Sequence, residues 1–216
     1  MMCKVLVSLF ILFAVLYVYS GYKSIKKMEY FSKPFLLPLL AVVYGIAVTD
    51  INIYIIMAIL FGFLGDFLLM FEGDKFFIGG LLSFLLGHIF YAIVFITGIY
   101  HIQSLSLINY LFIIPYIIYG IFIFSILKKY LFNMKKFVVV YIFALIIMSF
   151  SSLLYALVSK SLICWVPFMG SLFFILSDSI LSIKVFRKEI NKGDFWVGIT
   201  YVIAQALIVI GFIYIS

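Results

Sequence analysis

A chain of 216 residues that is 68% hydrophobic, 20% aromatic and only 11% charged has too little polar surface to cover a water-soluble globule of its size. That excludes a soluble enzyme or soluble binding module and leaves an integral, polytopic membrane protein. The net charge of +7 would suit a nucleic-acid binder, but the basic residues fall almost entirely in alternate loops, which is a topology signal instead.

Lipid tolerates only elements that satisfy their own backbone hydrogen bonds, and the continuous apolar runs select helices over a barrel of alternating strands. With about 20 apolar residues per crossing, the chain divides into eight spans at roughly 5–22, 34–49, 51–71, 76–99, 106–127, 137–158, 161–183 and 195–215. Connections are short, so residues 1–216 form one all-α bundle. Span one follows the single basic residue Lys4 and lacks a small-x-small cleavage site, so it reads as a retained helix.

Span two opens on Lys33-Pro34. Span three carries "FGFLGDFLLM", in which Asp66 stands inside an apolar run, with Gly62 and Gly65 on its face. Span four carries "GGLLSFLLGHIFY", where Gly80, Gly87 and Tyr91 share a face and His88 lies beside it. The other histidine, His101, falls in an outer loop, too few ligands for a zinc site; no metal or cofactor is expected. Span seven carries "GSLFFILSDSILS" with Asp178 and, on its face, Ser171 and Ser182; span eight carries "YVIAQALI" with Tyr201 and Gln205. The two cysteines, Cys3 and Cys164, lack metal spacing and read as small membrane-compatible residues.

Thirteen basic residues, from Lys23 to Lys192, fall on one side of this arrangement, and only Lys4 and Lys160 on the other. The positive-inside rule then sets both termini outside and the odd-to-even connections in the cytoplasm, with the protein in the cell membrane if it is bacterial.

Asp66 and Asp178 are the two acids that intrude into hydrocarbon. Each costs about 2.5 to 3.5 kcal/mol near a helix centre, so both are expected to face the bundle interior. Each lies five residues before the inner end of its predicted span, which sets both carboxyls about 7 to 8 Å inside the boundary. Their surroundings match, F-x-x-L-small-D-x-x-L in both, and "FLLGH" aligns with "YVIAQ", pairing His88 with Gln205. An offset of four helices preserves orientation, so the pattern reads as two parallel four-helix repeats that would bring the acids together across an axis normal to the membrane. The glycines read as close helix packing, and for the acids and His88 helix-to-helix hydrogen bonding is the rival account.

Taken in order, Lys33-Pro34, "GDFLLM", "GGLLSFLLGHIFY", "GSLFFILSDSILS" and "YVIAQALI" resemble the YhhN-like membrane family, which includes the lysoplasmalogenases, over essentially the whole chain. The resemblance implies hydrolysis of the vinyl-ether bond of lysoplasmalogens to a fatty aldehyde and a glycerophospho-alcohol, with Asp66 and Asp178 catalytic. It also marks Lys33, His88, Tyr91, Tyr201 and Gln205 as substrate-binding candidates. Vinyl-ether hydrolysis needs an acid, a negative neighbour and water, and two adjacent buried carboxyls tend to share one proton because both cannot comfortably ionise. The expected partners are a lysophospholipid and membrane lipid, with Lys33, Lys128, Lys129 and Arg187 placed to hold a phosphate. The rival reading is a proton-coupled transporter or lipid-translocating protein, because paired membrane carboxylates also build proton relays.

Overall fold

The computed structural model describes residues 2–102, 105–159 and 161–215; Lys160, one of the two bases expected on the outer side, lies outside the described residues. Every span forms as a helix: α1 (Met2–Lys23), α2 (Lys26–Ala47), α3 (Ile53–Leu68), α4 (Asp74–Ile102), the single turn α5 (Leu107–Tyr110) leading into α6 (Ile113–Leu127), α7 (Lys135–Ser159), α8 (Trp165–Phe186) and α9 (Gly193–Ile215). Seven of the crossings are long and apolar enough to span a membrane. The eighth, α3, has 16 residues and rises only about 24 Å, short of a hydrocarbon core of about 30 Å.

The differences from the sequence reading have local causes. α2 begins at Lys26, eight residues before the proline taken to open it, and runs through Pro34 and Pro38. Proline removes a donor but does not end a helix whose neighbours hold it. Lys33 therefore sits inside a helix rather than at its mouth. α3 stops at Leu68 because its last turn tightens into i→i+3 bonds, Met70 N to Phe67 O and Phe71 N to Leu68 O; Gly73, at φ +120°, then turns the chain into α4. Asp66 thus lies in the last turn of its helix, whereas Asp178 stands two turns before the end of α8. α4 continues to Ile102, which makes His101 part of its final turn rather than of a loop.

Helix contacts run in a closed ring: α1 on α2, α2 on α3, α3 on α4, α4 on α7, α7 on α8, α8 on α9, and α9 back on α1. α6 stands outside that ring, against α7 and α8. Two hairpins, α3–α4 and α8–α9, pack closely at glycines. A methyl group at Gly170 would meet the Ala204 backbone at 2.8 Å, and one at Gly65 would meet the Phe84 ring at 2.7 Å. Both pairs depend on the missing side chain. The core they close is aromatic, with Tyr91 and Phe95 of α4 stacked on Phe212 of α9 at 6.1 and 5.1 Å.

Candidate functional site: two acidic clusters and an apolar cleft

Asp66 is sealed. It is 3% exposed, and its two oxygens are held separately: Lys33 Nζ lies 3.2 Å from Oδ1, and the Tyr201 hydroxyl donates to Oδ2 at 2.6 Å. Behind Tyr201 the donors continue in one direction, Tyr91 to Gln205 Oε1 at 3.2 Å and Gln205 Nε2 to the Tyr201 oxygen at 3.4 Å. A carboxylate that receives an ammonium and a phenol, itself fed by an amide, is satisfied as an anion. Lys33 comes from α2, Asp66 from α3, Tyr201 and Gln205 from α9, and Tyr91 from α4, so the cluster ties four helices together.

Asp178 is open. Tyr141 of α7 donates to its Oδ2 at 2.5 Å, and His88 Nε2 of α4 lies 3.0 Å from the Tyr141 hydroxyl and 3.6 Å from Oδ2. The Asp178 side chain keeps 15% of its surface and lines an apolar cleft. Phe77, Leu81 and Phe84 of α4 and Tyr119, Ile123 and Leu127 of α6 line it together with residues of α7 and α8. Among the described residues Asp178 is the only carboxyl on these walls; the other polar groups are Tyr119, Tyr141, Ser179 and Ser182. Tyr119 and Ser179 are hydrogen-bonded to each other across α6 and α8.

The two clusters meet at one ring. Phe174 packs edge-on to His88 with centroids at 4.7 Å and edge-on to Tyr201 at 5.6 Å. Their plans correspond as well. Each acid takes one partner from the helix that precedes its own, Lys33 on α2 or Tyr141 on α7, and one from the last helix of the opposite half, Tyr201 on α9 or His88 on α4.

Of the candidates marked in the sequence, Asp66, Lys33, Tyr201, Gln205 and Tyr91 assemble in the first cluster, and Asp178 and His88 in the second. Only Asp178 reaches the cleft wall; Lys33, His88, Tyr91, Tyr201 and Gln205 all stand behind it. Lys33 is committed to Asp66 rather than to the basic surface, its side chain only 11% exposed. Tyr141 and Tyr119 escaped the sequence reading. In a chain with 16 tyrosines, one inside "VVVYIFALII" carries no local signal, and only the alignment of α7 with α3's counterpart α8 brings it to an acid.

The match to the YhhN family runs over residues 28–212, from the first turn of α2 to near the end of α9. The chain belongs to the YhhN family. All the residues of both clusters fall inside the matched region, as does every wall of the cleft, so the YhhN-family core and the acidic site coincide. No curated protein and no solved structure matches the chain.

Proposed function

We propose that this YhhN-family protein is an intramembrane hydrolase that cleaves the vinyl-ether bond of a lysoplasmalogen, with Asp178 as the reacting acid. The observation that carries the reading is the cleft: an apolar lining with a single carboxyl suits an aliphatic chain whose only reactive group sits at its polar end. The clusters lie toward the ends of the helices joined by the basic loops, and we take that end as cytoplasmic. A lysolipid anchored there by its headgroup carries its ether linkage just below the glycerol, at the depth of a side chain two turns inside α8.

The chemistry needs no further group. The Asp178 carboxyl gives its proton to the outer alkene carbon, leaving an oxocarbenium cation beside the new carboxylate. Water adds to the cationic carbon and returns a proton to Asp178, and the resulting hemiacetal collapses as the C–O bond to glycerol breaks and its hydroxyl proton passes to the departing oxygen. One carboxyl serves as acid and then as base, as in glycoside hydrolysis. Asp66 contributes from behind: with Lys33 and Tyr201 it fixes α2, α3 and α9 around Phe174 and Phe84, the aromatic floor between the clusters.

The test is mass spectrometry of products after detergent-purified protein meets vinyl-ether and ester lysolipids side by side. Fatty aldehyde from the vinyl ether alone, lost in Asp178→Asn, is the expected result. Cleavage of the ester alone would make the protein a different lipase. Turnover of neither, with substrate flux into liposomes, would favour a transporter.

A further inference from the structure

The hydrogen bonds around Asp178 contain a proton count that assigns a role to Tyr141. A phenol has one proton, and Tyr141 spends it on Asp178 Oδ2 at 2.5 Å. The 3.0 Å contact between His88 Nε2 and the same phenolic oxygen must then be donated by the imidazole. The direct His88–Asp178 separation, 3.6 Å, is too long for a hydrogen bond, so His88 acts on the carboxyl through Tyr141. The Tyr141 hydrogen bond and the His88 approach are both to Oδ2, and neither is to Oδ1. The groups that face Asp178 from the packed helices are Tyr141 on α7, His88 on α4, and the Tyr119–Ser179 link between α6 and α8.

We propose that Tyr141 is the positioning residue for Asp178: it holds Oδ2, so that Oδ1 carries the transferable proton toward the cleft, and His88 supports it from behind. The inference rests on the hydrolase reading above for its kinetic consequence, but the hydrogen-bond arrangement itself does not. When Oδ1 gives up its proton, charge spreads to Oδ2, and the phenolic bond there strengthens just as the cation forms. An interaction stronger in the transition state than in the ground state lowers the barrier without tightening substrate binding.

Two measurements on the full-length purified protein test this. In steady-state assays with a vinyl-ether lysolipid, Tyr141→Phe is expected to lower kcat about tenfold to hundredfold while KM stays within about twofold. Adding His88→Gln to Tyr141→Phe should cost less than about threefold more, because the histidine works through the phenol. In pH-jump infrared difference spectra, the protonated-carboxyl band assigned by its absence in Asp178→Asn should move in Tyr141→Phe, and less in His88→Gln. An unmoved band overturns the proposal, as does a loss confined to KM or a double variant whose losses multiply. If the wild-type protein cleaves nothing while the band still moves, the hydrolase reading fails and the hold of Tyr141 on Asp178 stands.

Discussion

The two acidic clusters are built on one plan and end in opposite states. Around Asp66 the outermost helix of its half, α1, packs on both α2 and α9, and Tyr17 lies below Lys33 with 5.9 Å from ammonium to ring centroid. Around Asp178 the corresponding helix, α6, leans on α7 and α8, and the cleft separates it from α4. Where the outer helix closes, the partner drawn from the preceding helix is a lysine and the acid becomes half of a buried ion pair. Where it stands off, that partner is a phenol, which holds a carboxyl without neutralising it. The lesson is that two acids with corresponding partners differ at one helix and one side chain, and that difference decides which of them reaches the cleft.

The comparison breaks most visibly at the acids. Asp178→Asn is expected to lower aldehyde release by about 10²- to 10⁴-fold, the range for losing a general acid, with little change in thermal unfolding, because the amide still accepts from Tyr141. Product analysis by mass spectrometry checks the first part and unfolding in detergent the second. A comparable loss of stability would mean that Asp178 is structural glue.

Next in size is the ion pair. Lys33→Met leaves a buried carboxylate uncompensated and should destabilise the protein by about 3–5 kcal/mol, whereas Lys33→Met with Asp66→Asn should recover most of it. Denaturant or thermal unfolding of the three variants reads this directly. Equal destabilisation by the single and double variants would show that Asp66 does not depend on Lys33.

A smaller effect separates packing from chemistry. Gly65→Ala drives a methyl group into Phe84, a wall of the cleft and a neighbour of Tyr201 at 6.1 Å, and should cost about 1–3 kcal/mol. Its mark should be a changed preference for chain length, read with a series of lysolipids, since Phe84 has to shift within the cleft. The mildest expectation is Tyr119→Phe, which removes the hydroxyl joining α6 to Ser179 and should cost about 1 kcal/mol or less, with activity reduced only a few-fold. A loss as large as that of Asp178→Asn would move the chemistry to α6.

How far the sequence could be read follows from range. The helices are legible because lipid forces each crossing to satisfy its own backbone, so apolar length alone reports them. The acids are legible because a carboxyl in hydrocarbon is too costly to be incidental. Boundaries are less so: the prolines of α2 suggested a start that tertiary contacts override, and the early stop of α3 depends on a tightened turn that no apolar pattern marks. Tyr141 was invisible because nothing in its own helix distinguishes it; its meaning lies in Asp178, on the next helix, and in His88, on the opposite half.

By itself, then, the chain determined a membrane bundle, its family likeness and the pair of carboxyls worth following, all from composition and from motifs contained within single helices. Only the tertiary structure decided that Lys33 belongs to Asp66, that Tyr141 and His88 belong to Asp178, and that the cleft opens on one acid alone. The physical reason is that hydropathy acts segment by segment, whereas a buried charge takes its character from whichever side chains other helices bring within about 3 Å of it.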